Sequence, residues 1–374
     1  MSVARPNHGR PVDGVRLALV IVAVAGLGCQ PPGTPTRDPP EPFEIIHTHE
    51  LVEVGADPSL PICGGSLDYI DRFVEHYVDH SSLGVLDEPV RFFYVTEELA
   101  FEICGRFACA GRGHAYSPWL THPHELVHTI RHRQQQPLGH NFFEEGAAQL
   151  YDATVDPSWP ETFTITEALQ YPQALAGSHY DQAGHLMSFV RHRWSYHAVE
   201  TLLDEMVDVT TEPELEDGLV EALGIGIDQL DADYREHYPR CDGIGWREMP
   251  IECSSDPLPW VRDENGRGSI DRDIPDFACG HPDAIGPAEG RVWTSFTFDV
   301  EEPGEHLIQI PDIAGMSLEL GSCDLGCDLG VAQWSDREDF GTILELPAGR
   351  HVLRLSRALD DPGPVGFHLL GPPT

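Results

Sequence analysis

The chain has 374 residues, enough for two domains with connecting segments. Its 23 Lys and Arg against 62 Asp and Glu give a formal net charge of -39. That balance excludes nucleic acid as a partner, because phosphate contacts need a basic surface.

Arg5, Arg10 and Arg16 precede an apolar run over 17–27, the pattern of an export signal. Cys29 follows Gly26-Leu27-Gly28, which resembles a bacterial lipoprotein lipobox with Gly26 where Leu is usual. The resemblance implies a membrane anchor through a lipid on Cys29 and a place in the bacterial cell envelope. Ala23-Val24-Ala25 offers a rival site for ordinary secretion, and a retained single-pass anchor is the third reading. Without Cys29 the nine cysteines become eight, an even number suited to four disulfides in an oxidising compartment. The expected organisation is a signal peptide over 1–29, a Pro-rich tether over 30–43, a first domain over 44–242, a linker over 243–290 and a second domain over 291–374.

Residues 43–54 read as a strand, and Ser66 reads as the cap of a helix with Leu67, Ile70, Phe73, Val74, Tyr77 and Val78 on its core face. A second strand is expected over 89–96. Cys104 and Cys109 flank a short loop and can pair with each other. Residues 111–117 read as an edge strand beside a cleft.

The segment 121–152 carries the chemistry. It contains His124-Glu125-x-x-His128, and on a helix the two histidines sit one turn apart on one face. Two neutral nitrogens and a carboxylate suit a tetrahedral zinc that keeps its fourth position for water. Glu125 lies about 100° round the helix, placed to take a proton from that water. Farther on, Phe142-Phe143-Glu144-Glu145-Gly146-Ala147-Ala148 reads as a second helix whose small residues permit close approach.

This pair of segments resembles the gluzincins, zinc peptidases with HExxH on one helix and a Glu ligand on the next, in their aminopeptidase-like or peptidase MA-like branch. Matched on Gly146, the resemblance implies one Zn2+ held by His124, His128 and Glu145, with Glu144 the other candidate. It implies Glu125 as general base, and Tyr180, in Tyr180-Asp181-Gln182-Ala183-Gly184, as the donor that stabilises the oxyanion. Asp152, seven residues after Glu145, reads either as a carboxylate behind a ligating His or as an exposed residue at a helix end. His132, one more turn along the same face, reads either as a substitute ligand or as a solvent-facing residue in a basic helix end with Arg131 and Arg133, and His122 and His140 read as loop residues. Arg131 and Gln134 exclude the metzincin pattern. Residues 111–117 lack the Glu that holds a substrate amine in the aminopeptidases, which favours an endopeptidase.

Helices are expected over 197–208, 212–224 and 227–237. Residues 254–290 read as a linker with little regular structure, tied down by Cys279. From Arg291 the period changes to two, with short strands over 292–300, 305–310, 316–320, 341–346, 351–355 and 365–370. Residues 346–353 resemble the bacterial pre-peptidase C-terminal sandwich. Cys323 and Cys327 read as a local staple. The expected fold class is α+β, a zincin-like metallopeptidase domain followed by an all-β sandwich. The expected function is hydrolysis of peptide bonds in a peptide or protein substrate. The alternatives are a catalytically inactive binding lipoprotein on a zincin fold, or a zinc hydrolase of a non-peptide amide. The sequence gives no reading of oligomeric state.

Overall fold

The computed structural model describes residues 43–372 except 82–85, 112, 134–138, 152–163, 171–178, 238–246, 265, 289, 311–314, 324–331 and 336–339. The export signal, Cys29, Asp152, Cys241 and Cys327 therefore lie outside the described residues. Among the described residues no helix is long and apolar enough to cross a membrane.

The first unit is built on a five-stranded sheet. β1 (Ile45–Thr48) and β2 (Val52–Ala56) form a hairpin, where one strand over 43–54 was expected. The turn between them carries no Gly or Pro, so the sequence gives no punctuation there. β3 (Val90–Tyr94) runs parallel to β2, and β5 (His114–Ser117) runs parallel to β3. β4 (Cys109–Gly111) closes the order β1-β2-β3-β5-β4. The expected edge strand over 111–117 is thus divided: 109–111 takes the edge and 114–117 lies one place inside.

α1 (Ser66–His80) links β2 to β3 and buries Tyr69, Ile70, Phe73, Val74 and Tyr77. Gly65, not Ser66, occupies its cap position. The Ser66 hydroxyl instead donates to the Gly286 carbonyl at 2.8 Å and accepts from the Gly286 N–H at 2.9 Å. α2 (Glu97–Cys104) is capped by Thr96 and ends in the expected Cys104–Cys109 disulfide.

The helical part follows: α3 (His124–Arg133), α4 (Asn141–Gln149), a 3-10 turn over 165–170, α5 (His179–Arg193), α6 (Tyr196–Glu205), α7 (Glu212–Leu223) and α8 (Ile227–His237). Thr211 and Glu214 start α7 with a capping box. One apolar cluster joins Leu126, Val127 and Ile130 of α3 to Phe142 and Phe143 of α4 and Leu186 and Met187 of α5. This burial, at about 25 cal/mol per Å² of apolar surface, presses the site helices together.

α9 (Pro250–Cys253) leads into a β-sandwich. Its first sheet has the order β13-β10-β15-β7-β6, using β6 (Val261–Arg262), β7 (Gly268–Phe277), β10 (Gly304–Ile310), β13 (Phe340–Leu346) and β15 (Gly363–Leu370). The second has the order β12-β11-β14-β9-β8, using β8 (Ile285–Ala288), β9 (Arg291–Val300), β11 (Met316–Ser322), β12 (Ala332–Ser335) and β14 (Gly349–Ala358). Residues 254–290 are therefore not a bare linker. β7 pairs with β15 along most of its length, and β8 pairs with β9.

Among the described residues, two disulfides tie the units together. Cys63, just before α1, bonds Cys279, and Cys253 bonds Cys323. The second corrects the expected Cys323–Cys327 staple: α9 packs against β9 and β14, which brings Cys253 to the end of β11. Gly64 permits the first, since a Cβ there would stand 2.5 Å from the His281 carbonyl oxygen. These disulfides place the chain in an oxidising, exported environment.

Candidate metal centre

α3 is buried from His124 to Arg131. Pro123 precedes it, and its carbonyl accepts from the Val127 N–H at 3.0 Å. The Thr129 hydroxyl donates to the His114 carbonyl at 3.1 Å and fixes the helix to β5. α4 is capped by His140, whose ring nitrogen accepts from the Phe142 N–H at 3.3 Å. Burial pushes His140 down to about 4, which keeps that nitrogen a neutral acceptor. His140 is thus a structural cap and not simply a loop residue.

This packing brings three side chains to one point. His124 Nε2 lies 3.0 Å from Glu145 Oε2, His128 Nε2 lies 3.1 Å from the same oxygen, and the two ring nitrogens lie 3.2 Å apart. Their residues expose 6, 8 and 3% of their surface, so water supplies little of their solvation. Burial opposes the charge of Glu145, but His128 and His124 beside it outweigh that and hold its carboxyl well below the usual range. The three atoms form a nearly equilateral triangle, all within reach of one ion. The group can therefore hold a metal ion.

The choice between the two adjacent glutamates has a physical cause. Glu144 points the other way, into Arg131. Arg131 Nε donates to Glu144 Oε2 at 2.9 Å and its Nη2 donates to Oε1 at 3.1 Å. Its remaining Nη1 donates to Glu200 Oε2 on α6 at 2.5 Å, and the Gly139 N–H donates to Glu144 Oε1 at 2.8 Å. Arg131, which the sequence places in a basic helix end, is fully buried. Its partners hold it charged against the burial that opposes this. No local pattern marks Glu200, which lies 69 residues away. The only sequence signal for the network was a charged residue at the third position after His128.

Gly146 is required, but against α5 and not α3. A Cβ there would stand 2.7 Å from the Ala183 carbonyl oxygen and 2.7 Å from Met187 Cγ. That contact brings the start of α5 over the site. The Tyr180 ring centroid lies 6.1 Å from that of His124, and Tyr180 is half-buried. Glu125 is buried on α3 at 8% exposure. His122, read as a loop residue, stacks on His124 at 5.7 Å and also contacts Trp119. His132 is half-buried and outside the triangle. Asp152 falls outside the described residues.

No protein-family model matches the chain, and no curated protein matches it. Among solved structures, the pre-peptidase C-terminal domain of a collagenase from Bacillus anthracis is 15% identical over 28% of this chain and 85% of that one, with a TM-score of 0.19. PliG, a periplasmic lysozyme inhibitor from Aeromonas hydrophila, is 8% identical over 29% of this chain and 90% of that one, with a TM-score of 0.19. A C-terminal CBM6 module from Zobellia galactanivorans is 11% identical over 33% of this chain and 96% of that one, with a TM-score of 0.17. Scores this low carry no functional argument.

Proposed function

We propose that the chain is an exported zinc-dependent peptidase of gluzincin type, its first unit a zincin-like domain and its sandwich an accessory domain of the pre-peptidase C-terminal kind. The observation that carries the reading is the buried triangle of His124, His128 and Glu145, with Glu125 on the same helix. Two imidazoles and one carboxylate form the donor set that zinc favours in open catalytic sites. When bound, zinc supplies an activated water and polarises a carbonyl. Glu125 is the group on this chain that accepts the proton and returns it to the leaving amine. Tyr180, whose ring lies 6.1 Å from that of His124, would donate its phenol O–H to the developing oxyanion. The Arg131–Glu144–Glu200 network orients α4 so that Glu145 faces the histidines. The substrate is a peptide or protein cut internally, and the anchor is the lipid on Cys29.

The test is hydrolysis of a peptide library by the full chain. Wild type should cleave, and Glu125→Gln should keep its zinc and lose at least about a hundredfold in rate, the usual worth of a general base. A zinc-loaded wild type that cleaves no peptide removes the peptidase reading. Cleavage unchanged in Glu125→Gln removes that residue's role.

A further inference from the structure

A cavity of about 630 Å³ opens where the helical unit meets the sandwich. That volume is in the range of small-molecule sites. Its polar lining comes from both sides of the seam: His76 and His80 on α1, Arg191 at the end of α5, Tyr196 at the start of α6, Glu248, and Arg350 on β14. The cavity is separate from the metal centre, because Arg191 lies eleven residues along α5 from Tyr180, roughly 16 Å of helix.

Of the carboxylates in this cavity, Glu248 Oε2 and Asp299 accept hydrogen bonds, and Glu248 Oε1 has charged neighbours but no hydrogen bond. Glu248 accepts from the Tyr196 hydroxyl at 2.9 Å and lies 3.2 Å from Arg191 Nε and 3.3 Å from His192 Nε2. Asp299 accepts two bonds from Arg350, at 2.8 and 3.2 Å. Donors remain. His76 Nε2 is buried without a hydrogen-bond partner, and Arg191 Nε forms none either, since its contact with Glu248 lacks hydrogen-bond geometry. The rings of His76 and His80 stack 4.0 Å apart, so two imidazoles present together. Burial, with repulsion from His80 and Arg191, pushes His76 down to about 4. Two guanidinium groups, Arg191 and Arg350, stand in the lining with Glu248 and Asp299. A negative group entering there would meet two imidazoles and the Arg191 guanidinium edge, whose Nε lies 3.2 Å from Glu248 without a hydrogen bond.

We propose that this seam cavity is a binding site for a small oxyanion, a ligand that presents a carboxylate or phosphate group to His76, His80 and Arg191. It stands independently of what the metal centre hydrolyses. Because α1, α5, α6 and the sandwich all contribute walls, the ligand bridges the two units.

The experiment is calorimetric titration of the full chain at fixed ionic strength with inorganic phosphate, with citrate and with glucose as the uncharged control. Phosphate, citrate or both should bind with a submillimolar Kd, and which of them binds assigns the phosphate or the carboxylate. Glucose should not bind. His76→Gln combined with His80→Gln should weaken binding at least tenfold, and His124→Ala should leave it unchanged, which separates the cavity from the metal centre. His80 is exposed, so His80→Gln alone folds if the double variant does not, and it should weaken binding severalfold. The proposal is overturned if neither anion binds in the millimolar range, if glucose binds in their place, if binding is lost in His124→Ala, or if the histidine variants bind as wild type does.

Discussion

Arg131 and Arg354 are each buried against carboxylates from two other elements, and they do different work. Arg131 holds Glu144 and Glu200 behind the metal centre. Arg354 on β14 donates to Glu252 at 2.7 Å, lies 3.6 Å from Glu319, and sits 4.1 Å over the Trp293 ring at the seam. Both are more than 95% removed from solvent. Their neighbours differ. One residue beyond Glu144 stands Glu145, a carboxylate that closes a triangle with two imidazoles. Nothing comparable lies beside Glu252, whose helix is pinned to the sandwich by Cys253–Cys323. A buried charge alone does not mark a site. A buried charge that turns one glutamate away so that its neighbour faces two histidines does.

The largest effects should come from the arginines. Arg131→Met and Arg354→Met should each destabilise by about 3–5 kcal/mol in urea denaturation, because each leaves carboxylates buried without a partner. They should part company on metal. Arg131→Met should weaken zinc binding about 10- to 100-fold in chelator competition, while Arg354→Met should leave it unchanged. Equal zinc affinity in the two variants would erase the distinction drawn above.

Removing the metal comes next. With free zinc at a thousand times its Kd, chelation should lower stability by about 4 kcal/mol, and Glu145→Ala should show no such dependence. The loss should be read in the helical unit and not in the strands of the sandwich.

These contrasts were only partly legible beforehand. The apolar stripe of α1, the helical pattern of α7 and the alternation of β9 are local patterns, and they appear at or within a residue of where the chain predicts them. β7 was hidden because its middle residues, including Asp271, Arg272, Asp273 and Pro275, face outward and read as a loop, with Ile270 and Phe277 the buried apolar pair. The partner of Cys323 was hidden because the pairing depends on how α9 docks. The metal triangle was legible because HExxH and Glu-Gly-Ala lie close in sequence. The Arg131–Glu200 pair was not, since no spacing connects α3 to α6.

Acid should separate the two units as well. His185 on α5 bonds the Tyr234 hydroxyl at 2.5 Å, and burial pushes its pKa down to about 3. The folded value is depressed below the unfolded one of about 6.5, so its contribution is complete above that pH and is lost as pH falls toward the folded value. Near pH 5 the loss should be about 2 kcal/mol, and His185→Asn should flatten that part of the stability profile. His306 in the sandwich shifts the same way through burial, but it is held by a single backbone carbonyl and should contribute less. Circular dichroism against pH should show helix lost before strand.

The smallest effects should be matched. Thr129 donates to the His114 carbonyl in the first unit, and Thr297 donates to the Glu252 carbonyl at 2.6 Å at the seam. Thr129→Val and Thr297→Val should each cost about 1 kcal/mol in the same denaturation assay. Only the first should also alter zinc affinity, because only it holds α3.

The most direct test is zinc stoichiometry in the purified full-length chain, measured for wild type, Glu145→Ala and Glu144→Gln. About one zinc per chain should be found in wild type, none in Glu145→Ala, and close to the wild-type amount in Glu144→Gln at saturating metal. Zinc retained in Glu145→Ala, or absent from wild type after exposure to the metal, would contradict the centre described here.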